Sequence, residues 1–160
     1  MKPRIEPLTG KKLAGKHLTM SLANNTTGLL WQSFMQKRKE IANVIGTDLY
    51  SMQLYDPSYF ESFNPAATFE KWAAVEVSSF DQLPEGFEPF TLPSGLYAVF
   101  THIGGPSTGS QTFQYIFQNW LPASDYKLDN RPHFELLGAK YSNNDPNSEE
   151  EIWIPVRAKE

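Results

Sequence analysis

The order of the predicted elements constrains the fold of this chain more than any other sequence feature. A strand, a helix and two further strands are predicted between residues 13 and 77, and the same order recurs between residues 95 and 156. The two halves share few residues, so the repeat is one of pattern. Two β-α-β-β units predict an α+β domain with antiparallel sheets and two main helices on one side.

The first unit spans about residues 1–80. Its predicted elements are a strand over 13–22, a helix over 28–45, and strands over 49–55 and 69–77. Gly46 follows the helix at a position where glycine commonly ends one. The loop 56–65 carries three aromatic residues, Tyr59, Phe60 and Phe63, which indicates that it folds over another part of the molecule.

The second unit spans about residues 95–160 and follows a joint over 81–94 that is rich in Pro, Glu and Gly. Its predicted elements are a strand over 95–103, a helix over 110–120, a strand over 133–138, a polar turn over 142–147 and a strand over 150–156. The helix has the clearest amphipathic spacing in the chain. A length of 160 residues suits a single domain that contains both units.

Composition excludes several classes of protein. The chain has no cysteine, which rules out disulfides and thiolate chemistry, and its net charge of −4 with scattered basic residues is not typical of nucleic-acid binding. Neither a signal peptide nor an apolar run long enough to span a membrane is present, so we expect a cytoplasmic protein. The three histidines, His17, His102 and His133, lack the spacing of metal ligands. The residues therefore imply no metal and no cofactor.

Glu135 is the candidate functional residue. Side chains alternate along a strand, so Phe134 and Leu136 share one face while Glu135 and Leu137 share the other. A carboxylate on an apolar ladder must be paired, reach water or receive a ligand, because an isolated buried charge is costly. The alternative is a glutamate on the wet side of an antiparallel sheet, with the nearby tryptophans as ordinary packing.

The alternation also predicts which residues surround Glu135. The triplets Ala73-Val75-Val77 and Ile152-Ile154-Val156 are expected to face the helices, together with Phe134 and Leu136, which leaves Glu135 on the opposite side. On β-strand 49–55 either Ser51 and Gln53 or Tyr50 and Met52 join Glu135, and we favour the second pair. The predicted pocket lies between the units and consists of Glu135, Leu137, Trp153, Trp72, Tyr50, Met52 and, at its edge, Trp120. Aromatic walls around a carboxylate attract flat, lipophilic cations.

The second half resembles the GyrI-like effector-binding domain, the ligand-binding module of many AraC-type and some MerR-type transcription regulators. The motifs that carry the resemblance are the runs 95–106, 113–122 and 132–135, Asp145-Pro146, and 151–156. The resemblance implies two β-α-β-β units that are related by pseudo-twofold symmetry, with the ligand between them. It also implies that Glu135 pairs with cationic drugs and that Leu137 and Trp153 line the pocket. Regulators carry a helix-turn-helix before this domain. In this sequence the domain begins within about ten residues of Met1, which leaves no room for one. We therefore expect a stand-alone module without direct nucleic-acid binding.

Three functions are consistent with these residues. The first is a binding protein, a monomer or weak homodimer, that senses or sequesters amphipathic, cationic small molecules. The second is a hydrolase of reactive electrophilic natural products that uses Glu135 as general base with Tyr50 or Tyr97 as an aromatic hydroxyl. Some family members act in this way. The third is a protein-interaction module whose partner is a target enzyme that it inhibits or protects.

Overall fold

The computed structural model describes residues 2–138, 141 and 146–159, except the side chains of residues 106 and 107. Within this part of the chain, nine strands are present: β1 (Arg4–Leu8), β2 (Lys11–Ser21), β3 (Leu49–Leu54), β4 (Thr68–Val77), β5 (Glu88–Leu92), β6 (Gly95–Ile103), β7 (Tyr126–Leu128), β8 (His133–Leu137) and β9 (Glu149–Ala158). The two main helices are α1 (Thr27–Lys37) and α2 (Pro106–Tyr115). Helix α2 continues into a π-helical turn, Ile116–Trp120.

All strands belong to one antiparallel sheet with the order β1-β6-β9-β8-β3-β4-β2-β5, and β7 pairs with the end of β9. The second unit contributes β6-β9-β8 and the first contributes β3-β4-β2, so the units mirror each other about the central β8-β3 pair. This arrangement confirms the predicted α+β class with antiparallel strands. Each unit gains an edge strand from outside its repeat, β1 beside β6 and β5 beside β2.

The register of the central strands fixes the two faces of the sheet. One row of directly paired residues runs Ala73, Ser51, Glu135, Ile152, Phe100 across five strands. The adjacent row runs Trp72, Met52, Phe134, Trp153, Val99. Because neighbouring residues of a strand point to opposite sides, these rows belong to opposite faces.

The row that contains Glu135 lies on the face that carries both helices. Helix α1 packs through Leu30 and Phe34 on a core formed with β2 and β4. Helix α2 and the turn after it pack through Ile116 on a core formed with β6 and β9. Glu135 lies between these two helix cores, at the junction of the two units.

The opposite face closes on itself. Its buried cluster contains Leu8 of β1 and Leu92 of β5, which stand at opposite ends of the strand order, so the sheet curls around this core. The tryptophans of the second row also lie in it, and Phe134 stacks on Trp153 with ring centroids 5.1 Å apart. We call this face the closed face.

Helix α1 ends earlier than the predicted residue 45. A single 3₁₀ turn follows it, and Ile41 is already extended. Beyond that point the backbone pairs with β4: Val44 forms a bridge with Val77, and the Ile45 amide donates to the Glu76 carbonyl at 2.9 Å. These sheet hydrogen bonds replace the last predicted turn of the helix. Gly46 has a positive φ of 69°, a conformation that glycine adopts readily, but it follows this paired segment and not the helix.

Three short strands were not predicted, namely β1, β5 and β7. The first two contain a proline, Pro7 and Pro89 respectively. Both are edge strands, where one side of the backbone has no partner and a missing amide is tolerated. Strand β5 lies within the stretch 81–94 that the sequence marks as the joint. Of the predicted polar turn over 142–147, only residues 146 and 147 are among those that the structure describes.

Candidate functional site

A cavity of about 670 Å³ opens between the two units on the helix-bearing face. Its floor is formed by residues of β3, β4 and β8, one wall by α2, and another by the loop 59–64. Segment 22–27, which leads into the first residue of helix α1, completes the rim. Eight of the lining residues are apolar or aromatic: Leu22, Tyr55, Tyr59, Phe60, Phe63, Phe69, Phe113 and Phe117. A concave, largely apolar surface with a few polar groups is typical of a small-molecule site.

Glu135 lies on the floor of this cavity and is half-buried. Its carboxylate accepts a 3.0 Å hydrogen bond from the amide of Gln53 on β3. Ser51 is the direct partner of Glu135 on β3. Gln53 lies two residues further along the same strand, so it faces the same side, and it is buried. This bond holds the carboxylate on the floor of the cavity.

Helix α2 presents a helical stripe to the cavity. The lining residues of this helix and of the π-turn after it are Ser110, Phe113, Gln114, Phe117 and Gln118, spaced i, i+3, i+4, i+7 and i+8. Two phenylalanines of this stripe also pack against the core of the second unit. The wall of the cavity is therefore continuous with a packed part of the protein.

The loop that the sequence marked as aromatic forms the other wall. Asp56 and Asn64 organise its ends, because their side-chain oxygens accept backbone amides two residues further on, at 2.9 and 3.0 Å. Phe60 stacks on Phe117 and on His133, with centroid distances of 5.3 and 5.4 Å. The loop of the first unit is thus fastened to the second unit through one ring.

His133 is buried behind this wall, and Tyr55, which lines the cavity, is half-buried beside it. Burial, together with the charge of Arg131, lowers the pKa of His133 to about 3, so its ring is neutral at ordinary pH. Burial also raises the pKa of the Tyr55 hydroxyl, and the charges of Glu135 and Tyr59 raise it further. The Tyr55 hydroxyl therefore stays protonated close to the Glu135 carboxylate.

The structure does not bring the predicted aromatic residues to Glu135. Trp153, Trp72, Tyr50 and Met52 are buried in the cluster of the closed face, with Phe134 and Leu136 beside them. The prediction that Phe134 and Leu136 face the helices is wrong, because Phe134 pairs directly with Trp153. Consequently the favoured pair Tyr50 and Met52 lies on the wrong side, and the alternative pair Ser51 and Gln53 lies on the side of Glu135.

The remaining candidates also lie outside the cavity. Leu137 shares the face of Glu135 but pairs with Leu49, and it is not among the lining residues. Trp120 packs edge-on against Phe100, with ring centroids 5.1 Å apart. Tyr97 lies on the closed face, where its hydroxyl donates to the Pro132 carbonyl at 2.7 Å. Neither Tyr50 nor Tyr97 can therefore act beside Glu135, as the hydrolase hypothesis required.

Several lining residues were missed by sequence reasoning, in particular Tyr55, Phe69, Lys71, Phe113 and Phe117, whereas Gln53 was named only in the alternative pair. One signal was available: Gln53 and Tyr55 alternate on the same strand, and so do Phe69 and Lys71, each pair combining a polar group with an aromatic ring. Among the described residues, no group of three or more His, Asp or Glu side chains could hold a metal ion. None of the helices described is long and apolar enough to cross a membrane.

Comparison with known proteins gives the chain its relatives. Residues 4–156 match the model of the Cass2 family, described as integron-associated effector binding protein. The transcriptional regulator BrlR of Pseudomonas aeruginosa is 28% identical over 160 residues, which cover 98% of this chain and 56% of that protein. The chain thus spans little more than half the length of this curated relative.

Two solved structures share the fold over nearly all of their length. SAV2435, solved bound to tetraphenylphosphonium, superposes with a TM-score of 0.74 at 17% identity and covers 98% of this chain and 94% of its own. The integron cassette protein VCH_CASS2 of Vibrio cholerae superposes with a TM-score of 0.68 at 19% identity, covering 98% and 97% respectively. The GyrI-like resemblance of the sequence is confirmed, and the chain belongs to the Cass2 family of integron-associated effector binding proteins.

Proposed function

We propose that this protein binds lipophilic organic cations in the cavity between its two units, with Glu135 as the counter-charge. Effector binding belongs to the family, and the class of ligand is the part that we add. The observation that carries the proposal is the position of Glu135, a carboxylate on the floor of a cavity with mainly aromatic walls. In such a place a cation gains both the Coulomb attraction of the carboxylate and the attraction of the ring faces.

The size and shape of the cavity agree with this class of ligand. A volume of about 670 Å³ lies within the range of sites that hold drug-sized molecules. Phe113 and Phe117 supply ring surface from one wall, and Tyr59 and Phe60 supply it from the other. Phe63 is 85% exposed at the mouth, where an apolar ligand would cover it.

SAV2435, a protein of the same fold, was solved with tetraphenylphosphonium, which is a lipophilic cation. We carry this ligand class to the present chain as part of the proposal. Tetraphenylphosphonium is therefore the first probe. It has no hydrogen-bond donor, so its affinity depends on charge and apolar contact alone.

The test compares the wild-type protein with Glu135→Gln by titration calorimetry with tetraphenylphosphonium. Loss of the counter-charge should weaken binding by about 1 to 3 kcal/mol, the Coulomb energy of opposite unit charges about 6 Å apart at an effective dielectric constant of about 20 to 40. Glu76→Gln is the matched control, because Glu76 is also a half-buried strand glutamate but faces the other side of the sheet, beside Lys11 at 3.5 Å. Equal affinities of the wild type and Glu135→Gln would refute the proposal. Tryptophan fluorescence is a poor reporter here, since none of the four tryptophans lines the cavity.

A further inference from the structure

Lys71 is the second charged residue of the cavity, and the proposed cation site gives it no role. Among the lining residues that the structure describes, only Glu135 and Lys71 are charged, and Lys71 is half-buried. Among the described residues, no carboxylate lies within ion-pair distance of its ammonium group. The cavity therefore holds an ammonium group that forms no ion pair with the described residues.

The sheet keeps Lys71 apart from Glu135. Lys71 on β4 pairs directly with Gln53 on β3, and the Gln53 amide donates to Glu135 on β8. The backbones of Lys71 and Glu135 are thus two strand spacings apart and offset by two residues along the strand, about 12 Å in all. Gln53 belongs to the strand between them, so the floor carries a positive residue on β4 and a negative residue on β8.

The charge of Lys71 also acts on a carboxylate of the sheet. Burial and the charge of Glu135 raise the pKa of Glu150, a residue of β9 on the same face, whereas His102 and Lys71 oppose that rise. The charge of Lys71 therefore reaches Glu150. A ligand that carried only positive charge would be repelled by Lys71 while it was attracted by Glu135.

We infer that the cavity is built for a lipophilic zwitterion, whose cationic group meets Glu135 and whose carboxylate meets Lys71. Lys71 is then a specificity-determining residue, which selects ligands that carry a carboxylate in addition to the cation. An ammonium and a carboxylate form a charge-assisted hydrogen bond, the stronger kind of polar contact in a partly desolvated site. This inference rests on the proposed cation site and adds the second group of the ligand.

Two dyes that differ in one group provide the test. Rhodamine 6G is a lipophilic cation with an ethyl ester, and rhodamine 19 is the same dye with a free carboxylate. Fluorescence anisotropy at pH 7.5 would give the affinity of each dye for the wild type, Lys71→Met and Lys71→Arg. Lys16→Met is the matched control, because Lys16 is a half-buried strand lysine of the same face that bonds to Ser33 and does not line the cavity.

The wild type should bind the acid more tightly than the ester. Lys71→Met should weaken the acid by about tenfold, as for the loss of one charge-assisted hydrogen bond, and should leave the ester unchanged or tighter. Lys71→Arg should retain the preference for the acid, and Lys16→Met should behave as the wild type.

Other results would overturn the inference. If the wild type bound the ester in a manner that depends on Glu135 but did not prefer the acid, the zwitterion would be wrong and the cation site would stand. If Lys71→Met weakened both dyes equally, Lys71 would have only a structural role. If neither dye nor tetraphenylphosphonium bound to the wild type, the proposed function would fail together with the inference.

Discussion

The Gln53 amide donates a 3.0 Å hydrogen bond to the Glu135 carboxylate across the seam between the two units. Strand β3 of the first unit and β8 of the second meet at this seam. The acidic group of the cavity thus belongs to one repeat and the side chain that orients it belongs to the other. A site with this geometry exists only when both units are folded against each other.

Phe60→Ala should release the loop 56–65 from the second unit. Phe60 stacks on Phe117 and on His133, and aromatic pairs contribute about 0.5 to 1.5 kcal/mol each beyond their buried area. We expect faster amide hydrogen exchange in the loop and weaker binding of tetraphenylphosphonium. Phe63→Ala is the control: this ring is 85% exposed, so its loss should affect binding without freeing the loop. Unchanged exchange in Phe60→Ala would show that the ring does not fasten the loop.

Trp153→Ala should destabilise the protein without removing the ligand site. Trp153 is buried in the closed face, where it stacks on Phe134, and truncation of a buried tryptophan costs about 3 to 5 kcal/mol of unfolding free energy. Phe113→Ala should behave in the opposite way, because Phe113 lines the cavity and is only half-buried. Urea unfolding and calorimetry separate the two effects. A larger loss of affinity in folded Trp153→Ala than in Phe113→Ala would indicate that the ligand binds on the closed face.

The stability of the protein should fall as the pH drops below about 6.5, in part through His133. The pKa of this residue is lowered from 6.5 to about 3 by burial, so the unfolded chain takes up the proton and the folded protein does not. Linkage gives a loss of roughly 2 kcal/mol between pH 7 and pH 5 from this residue. His133→Phe removes this contribution. Its unfolding free energy relative to the wild type should therefore rise by that amount over the same interval in urea titrations.

His17 provides a control of opposite sign for the pH experiment. Burial lowers the pKa of His17, but hydrogen bonds to Glu70 and Glu88 outweigh that effect and the net pKa is raised. The stabilisation from His17 is therefore complete below about 6.5 and is lost as the pH rises through the raised pKa. The stability deficit of His17→Gln should be larger at pH 5 than at pH 8. The same pH trend in both histidine variants would contradict the two assignments.

Periodicity predicted the fold class and both helix-facing triplets, but it could not assign the faces of β8. This strand has apolar residues on both sides, Phe134 and Leu136 on one and Leu137 on the other. Alternation alone therefore does not determine which side faces the helices. The face depends on register with β9, where Phe134 is opposite Trp153. Register is a long-range property that a single strand sequence does not contain.

The residues that form the walls of the cavity could not be predicted from the sequence for a different reason. The closed face is densely packed and contains Trp72 and Trp153, whereas the helix-bearing face keeps a gap between its two cores, and the gap holds Glu135. A charge on a strand that is otherwise apolar indicated such a gap, and the loop with Tyr59, Phe60 and Phe63 indicated a cover. Which elements enclose the gap follows from the packing of α2, which the sequence predicts only as a helix.

The most direct measurement is the position of a bound lipophilic cation. Tetraphenylarsonium has the shape and charge of tetraphenylphosphonium, and its arsenic can be located by anomalous scattering in a crystal of the complex. Binding as proposed predicts an arsenic peak between α2 and the loop 59–64, within about 6 Å of the Glu135 carboxylate, the range over which opposite charges interact strongly. A peak on the closed face or on the outer surface, with the cavity empty, would contradict it.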